Sequence, residues 1–256
     1  MTAPPARPHL RPHPDRRRLV AAVPLVPLLS LAGCATPPAP HGVVPATVPQ
    51  AEELVQTTID RLTVLSMQAN LESLYRIMEK LYRRNPSQWR KGGADSADAA
   101  ARQVQAAIEA RAPWPALQGR RDIDALSLAL SPDFAGDRVA AVVYAAADML
   151  VTAYGGRTRF TILDRIEPQY VYNGARNIEI LVWMLAQRRD AAGRPLLLAD
   201  EISGRGRNLS FEREFGKIIG RLDLLAVFAT ERYRRAVINY VHSVMAIELL
   251  QFLPVR

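Results

Sequence analysis

The chain has 256 residues, a net charge of +8, 49% apolar residues and one cysteine. This apolar content excludes disorder along the whole chain, and a single cysteine excludes an intramolecular disulfide framework. The length suffices for one domain with a large core or for two small domains. Nucleic-acid binding is not indicated, because the sequence lacks a clustered basic face with interleaved aromatic residues.

The N-terminal segment has the parts of a secretory signal peptide. Arg16 to Arg18 precede a 14-residue apolar run over residues 19–32, and small residues follow. The run is shorter than the roughly 20 residues of a membrane-spanning helix. It also contains Pro24 and Pro27, which disfavour a regular helix. We therefore expect residues 1–33 to be removed on export.

The sequence at the expected cleavage point, Leu31-Ala32-Gly33-Cys34, resembles the lipobox of bacterial lipoproteins. The resemblance implies cleavage between Gly33 and Cys34, diacylation of the Cys34 thiol with palmitate-type chains, and usually acylation of the new amino terminus. Two or three such chains would hold the protein stably at a membrane. Ala35 stands where enterobacterial lipoproteins of the inner membrane have aspartate, so the resemblance implies the outer membrane, facing the periplasm. The alternative is a small buried cysteine after an ordinary membrane anchor.

A proline-rich stretch follows the cysteine. Removal of residues 1–33 takes away five arginines and one aspartate, which lowers the net charge from +8 to +4. Residues 34–50 then hold the lipidated cysteine and five prolines with little charge, a composition typical of an extended tether. At about 3.1 Å per residue it reaches roughly 45 Å from the membrane. We predict a helical periplasmic domain over residues 51–256.

The first helix is predicted from Ala51 to Arg84, with a break near Asn70 and an end at Asn85-Pro86. Its apolar stripe at helical spacing includes Leu62 and Leu65.

The end of this helix, Tyr82–Pro86, is similar to the end of a tetratricopeptide repeat. Counting back from Pro86, however, the small-residue positions of that repeat fall on Leu62 and Leu74. No second copy follows at the 34-residue period.

The middle of the chain alternates predicted helices with turns. We expect a loop at Ser87–Gly93, an alanine-rich helix at Ser96–Ala112, and a short apolar segment at Ile123–Leu130. Ser131-Pro132-Asp133 predicts a capped helix start, and that helix runs to Tyr154, where two glycines end it. Its many small residues predict close packing with a neighbouring helix.

The last third contains two more predicted helices. Arg157–Leu163 is an extended connection, Pro168 opens a helix that reaches Arg189, and Ser210 caps the last helix. An apolar stripe follows this helix for about forty residues, which predicts contacts with several helices or with a partner. Its members are Phe215, Ile218, Leu222, Leu225, Ala229, Ala236, Tyr240, Val244 and Ile247. The whole pattern predicts an all-α fold, either a multi-helix bundle or an irregular helical array.

Residues with catalytic chemistry are few. Only His41 and His242 remain after processing, and two histidines without a free cysteine do not make a usual zinc site. Nucleophile-elbow, Walker-loop and dinucleotide-binding motifs are absent from the sequence. We therefore predict no cofactor and no metal.

Carboxylates are the remaining route to catalysis. They lie in two groups, and paired carboxylates could cleave glycan strands. The groups are Asp122, Asp124, Asp133 and Asp137, and the pair Asp200-Glu201. Helix starts and turns explain the same residues.

Aromatic and arginine residues supply the candidate partner or anion contacts. Trp89 and Arg90 lie in one loop, and Arg205 and Arg207 flank a glycine in another. Arginine binds carboxylates and phosphates in a bidentate manner, and tryptophan and arginine are frequent interface anchors. Trp114, beside two prolines, is a further anchor candidate. Solvated turns and coverage of the core edge are the alternatives.

Taken together, these patterns predict a membrane-anchored envelope lipoprotein that acts as a non-enzymatic helical scaffold, assembly factor or accessory subunit. Its partner would be a periplasmic or outer-membrane protein. The alternatives are a peptidoglycan- or glycan-modifying enzyme that uses carboxylates, and a helical, tetratricopeptide-like periplasmic ligand-binding component.

Overall fold

The computed structural model describes residues 58–156, 166–203 and 206–250, all of which belong to a compact unit that begins at Gln50. The all-α prediction is confirmed in these residues. The helices are α1 (Thr58–Arg84), α2 (Ser87–Lys91), α3 (Ala97–Ala110), α4 (Asp122–Ala129), α5 (Arg138–Ala153), α6 (Pro168–Gln187) and α7 (Ser210–Leu250). Within the described ranges, no helix combines the length and apolar character that a membrane crossing requires.

Short non-α elements connect these helices. A 3-10 turn at Pro115–Leu117 precedes α4. Two three-residue strands, β1 (Glu201–Ser203) and β2 (Gly206–Asn208), pair antiparallel before α7. The predicted extended connection at Arg157–Leu163 lies outside the described residues.

Helix α5 is the centre of the domain. Thirteen of its sixteen residues are buried, and it contacts α1, α3, α4 and α6. Small side chains allow these helices to approach closely, as the sequence predicts. The closest approach is at Gly174 of α6, where a Cβ atom would lie 2.6 Å from the Cβ of Ala153.

Helix α1 ends before Asn85-Pro86 as predicted, but two details of the prediction are wrong. Leu62 and Leu65 are exposed, because the buried face at the start of α1 runs through Thr63, Val64 and Met67. The helix also continues through Asn70, whose buried side-chain amide donates a hydrogen bond of 3.0 Å to the hydroxyl of Tyr154. A polar residue at this position therefore joins α1 to the end of α5.

Two predicted boundaries in the middle of the chain are also wrong. Ser87–Gly93 is not all loop, because Ser87–Lys91 forms α2. Ser131 does not cap the following helix, which begins seven residues later at Arg138. Its cap is Asp137, whose Oδ1 accepts a hydrogen bond of 3.0 Å from the Ala140 amide.

The last two helices agree with the predicted ranges, except at the start of α7. Ser210 is the first helical residue, and Asp200 supplies the cap. The Asp200 carboxylate accepts hydrogen bonds from the amides of Phe211, at 3.2 Å, and Glu212, at 2.9 Å. The negative charge of this carboxylate also interacts favourably with the positive end of the helix dipole. The short hairpin therefore places a distant residue at the helix start.

Candidate protein-binding surface

The second half of α7 has an apolar stripe that is largely exposed. Its first members approach other described residues: the Tyr233 hydroxyl donates a hydrogen bond of 3.3 Å to the carbonyl of Ile166, and Val237 lines a cavity whose wall includes Asp60 of α1. In the first half of the helix, the face that includes Phe215, Leu222 and Ala229 is buried against the body. The same face continues as Tyr233, Val237, Tyr240 and Val244, which we call the uncovered stripe.

The exposure of this stripe is large. Val237 is 65% exposed and Tyr240 is 71% exposed, whereas Leu225 in the first half is only 2% exposed. Val241 and Met245 widen the exposed apolar surface. From Tyr233 to Val244 the stripe is roughly 17 Å long at 1.5 Å per residue. The stripe therefore offers an extended surface on one helix.

The spacing of the uncovered stripe suits another helix. Successive members are four, three and four residues apart, which is the alternation of apolar positions in helix pairs packed side by side. The opposite side is mainly polar, with Arg235, Asn239 and His242 beside Ile238. A solvated His242 agrees with the sequence interpretation.

The base of the projecting helix is fixed to the body by ion pairs. The Arg232 guanidinium lies 3.3 Å from the carboxylate of Asp60 on α1. On the neighbouring α6, Arg176 makes hydrogen bonds of 2.8 and 2.9 Å to both oxygens of Asp223. Both of these bonds come from one nitrogen, Nη2 of Arg176. These contacts add polar links between α7 and helices α1 and α6 beside the apolar packing of its first half.

The structure places the predicted Trp89 and Arg90 together on α2. The Arg90 guanidinium lies over the Trp89 ring, 4.8 Å from its centroid. Trp89 is half-buried and packs against the core, and Arg90 is exposed. Trp89 therefore covers the core edge and also supports a charged group at the surface.

Of the predicted cleavage, lipidation and loop-arginine residues, only Arg207 lies within the described part of the chain. Cys34, Gly33 and Arg205 lie outside the described residues. Arg207 lies on β2, opposite Ile202 of β1. The structure does not place Arg207 and the Trp89–Arg90 pair on the same element.

The first group of predicted carboxylates lies at helix starts and in turns. Asp122 and Asp124 lie exposed in the first turn of α4, and Asp133 is exposed in the turn before α5. Asp137 alone of the four is buried, and it caps α5 while its Oδ2 accepts a hydrogen bond of 2.8 Å from Tyr82. Burial raises the pKa of Asp137, and burial together with this neighbouring carboxylate raises the pKa of Tyr82. This contact joins α1 to the start of α5.

The second group also has structural contacts. Asp200 caps α7, and Glu201 lies 2.8 Å from the Arg84 guanidinium. Two surface cavities of about 270 and 350 Å³ have one carboxylate each in their walls, Asp148 and Asp60. Within the described ranges, no group of three or more His, Cys, Asp or Glu residues is placed to hold a metal ion.

Several exposed aromatic residues are not predicted as contact residues, and Trp183 is the largest of them. Trp183 on α6 is 59% exposed, and Ile180 one turn away is also exposed. A helical stripe in the sequence does not distinguish a core face from an exposed face. The exposed position of Trp183 and Ile180 is therefore evident only from the fold. No protein-family model, curated protein or solved structure matches the chain.

Proposed function

We propose that this protein is a lipid-anchored, non-enzymatic adaptor of the bacterial cell envelope, and that it binds a helix of a partner protein along the uncovered stripe. The anchor rests on the lipobox-like Leu31-Ala32-Gly33-Cys34 sequence and on the absence of aspartate at residue 35, which favours the outer membrane. The binding role rests on the second half of α7.

The observation that carries the proposal is the continuity of one apolar face across buried and exposed halves of α7. Exposed apolar residues are ordinary when scattered, but contiguous apolar patches mark interaction surfaces. A helix-spaced stripe with a polar opposite side is the form that docks against another helix. The partner helix would supply a complementary apolar face.

The arrangement of carboxylates supports an adaptor over the glycan-cleaving alternative. Glycosidases of the usual type need two carboxyl groups about 5 to 10 Å apart across one sugar-binding site. Here Asp137 and Asp200 satisfy helix starts, and each of the two cavities contributes a single carboxylate.

Site-specific crosslinking in intact cells tests this proposal. A photoreactive amino acid at Tyr240 should crosslink to one specific envelope protein. The same group at His242, on the polar side, should not. Crosslinks only to a second copy of this chain would assign the stripe to self-association, and equal crosslinking from both positions would contradict a defined docking face.

Charge substitutions separate docking from folding. Val237→Glu and Val244→Glu together should abolish the Tyr240 crosslink, because the partner would have to bury two unpaired carboxylates. Both side chains are exposed, so thermal unfolding should change little. The matched control is Asn239→Glu with His242→Glu, which adds the same charge on the polar side. Unchanged crosslinking in the Val237→Glu/Val244→Glu protein, at equal membrane levels, would reject the stripe as the docking surface.

A further inference from the structure

The smaller of the two cavities lies between the segment Arg111–Asp122 and helix α5. Its volume is about 270 Å³. Two aromatic rings form part of its wall: Trp114 and Tyr144 stack with centroids 5.7 Å apart. The Tyr144 hydroxyl donates a hydrogen bond of 2.7 Å to the carbonyl of Ala112, which holds its ring against the segment. Ile108, Leu117, Ala147 and Val151 add apolar surface.

Three arginines and one aspartate line the same cavity, so its wall has an excess positive charge. Arg121 makes hydrogen bonds of 2.9 and 2.7 Å to the two oxygens of Asp148. Arg111 donates to the carbonyl of Gly156. Arg120 is exposed and has no ion pair within the described ranges. The cavity therefore combines an aromatic wall with a guanidinium group that is free to bind an anion.

Unusual backbone conformations are concentrated in this segment. Within residues 58–156, 166–203 and 206–250, the non-glycine residues with positive φ are Arg111, Gln118 and Asp122, at 51°, 55° and 51°. A left-handed conformation costs a non-glycine residue roughly 1 to 2 kcal/mol. Arg111 and Gln118 are the residues that end α3 and the 3-10 turn, where a left-handed conformation commonly closes a helix. These conformations therefore shape the segment, and the ligand argument rests on the aromatic wall and the arginines of the cavity.

We propose that this cavity binds a carboxylate that has an apolar or aromatic group beside it. Guanidinium groups match carboxylates in geometry, and the Arg121–Asp148 pair shows that pairing within the wall. The apolar group would lie against the Trp114 and Tyr144 rings. The volume is just below the roughly 300 to 1,000 Å³ of sites for drug-sized ligands, so the cavity fits one such anchoring group. The C-terminal residue of a polypeptide and a free aromatic carboxylate share this chemistry.

Three probes test the proposal and distinguish the sources: N-acetylphenylalanine, the peptide Gly-Ser-Gly-Ser-Phe with a free carboxylate, and the same peptide with a C-terminal amide. Binding to the whole protein is measured by calorimetry and by amide chemical shifts. Both free carboxylates should bind, with shifts at Trp114 and Tyr144, and the amide should bind at least tenfold more weakly. Binding of N-acetylphenylalanine alone would assign the site to free carboxylates, and selective binding of the peptide acid would assign it to polypeptide ends. Equal binding of acid and amide, or no binding at 10 mM, would overturn the proposal.

An arginine substitution locates the carboxylate. Arg120→Gln should weaken binding of the acid probes about tenfold, because a charge-assisted hydrogen bond is lost, while amide binding stays the same. The matched control, Arg102→Gln, alters an exposed arginine on α3 outside the cavity wall and should leave all three affinities unchanged. Equal loss in both variants would show non-specific attraction and reject the site. The outcome is independent of the uncovered stripe, because its readout involves no partner protein.

Discussion

Gly174→Ala tests the close contact between α5 and α6. The added Cβ would lie 2.6 Å from the Cβ of Ala153, whereas carbon atoms in good contact are about 3.5 to 4.0 Å apart. Neither methyl group has a rotamer that relieves the overlap, so the helices must separate by about 1 Å. Ala153 is buried, and the contacts around it would loosen as well.

The expected magnitude is a difference of two effects. Alanine favours a helix over glycine by about 1 kcal/mol, and overpacking a core costs roughly 1 to 3 kcal/mol. A contact this short belongs at the upper end of that range, so we expect a net loss of about 1 to 2 kcal/mol. Urea unfolding followed by circular dichroism at 222 nm measures this free energy.

Two further variants make the test specific. Adding Ala153→Gly to Gly174→Ala should restore much of the lost stability, because one methyl then occupies the space of the other. Gly220→Ala on α7 is the control: its Cβ would have no atom within 4 Å, so it should stabilise the protein by up to about 1 kcal/mol. If Gly174→Ala stabilised the protein as much as Gly220→Ala, the close contact would be refuted.

Three other predictions concern burial, pH and lipid. Leu225→Asp should abolish the helical circular dichroism signal, because Leu225 is 2% exposed and an unpaired charge there is costly; a soluble, folded variant would contradict its core position. Burial raises the folded-state pKa of Asp137. The contribution of Asp137 to the free energy of unfolding is therefore largest below the unfolded-state pKa of about 3.9, and it is lost as the pH rises through the folded-state pKa. The unfolding free energy of wild type minus that of Asp137→Asn should therefore fall as the pH rises above about 4, and a rise would contradict the burial argument. Cys34→Ala should remove labelling by a fatty-acid probe, since the chain has no other thiol, and continued labelling would reject the anchor.

Local signals predicted many helix ends, and the errors occur where a distant residue decides the structure. The predicted start of the alanine-rich helix, Ser96, lies one residue before α3 and caps it, and Gly155 at φ +75° follows α5, where the sequence predicts that two glycines end the helix. The cap of α7 is Asp200, brought to the helix start by a hairpin that helical periodicity does not reveal. Ser131 has the right chemistry for a cap, but the turn after it delays the helix until Asp137.

The predicted site residues show the same boundary between local and tertiary information. Trp89 and Arg90 are neighbours in sequence, and their ring–guanidinium contact needs only one helical turn. The contact between Trp114 and Tyr144 joins two elements thirty residues apart in the chain, so no sequence spacing could predict it. The left-handed backbone at Gln118 is equally hidden, because glutamine has no special preference for that conformation.

The two halves of α7 differ in residue type as well as in exposure. The buried half uses Phe215, Ile218, Leu222 and Leu225, whose side chains are fully apolar. The exposed half places tyrosines at two of the four positions of the uncovered stripe, with Met245 beside it. Tyrosine keeps a polar hydroxyl for water while offering a large ring to a partner, and tyrosine and methionine are both enriched at interfaces. A stripe that only continued the core pattern would be expected to keep the same fully apolar side chains beyond the buried half of α7. The change in residue type along α7 therefore favours a surface that is solvated before a partner binds and desolvated in the complex.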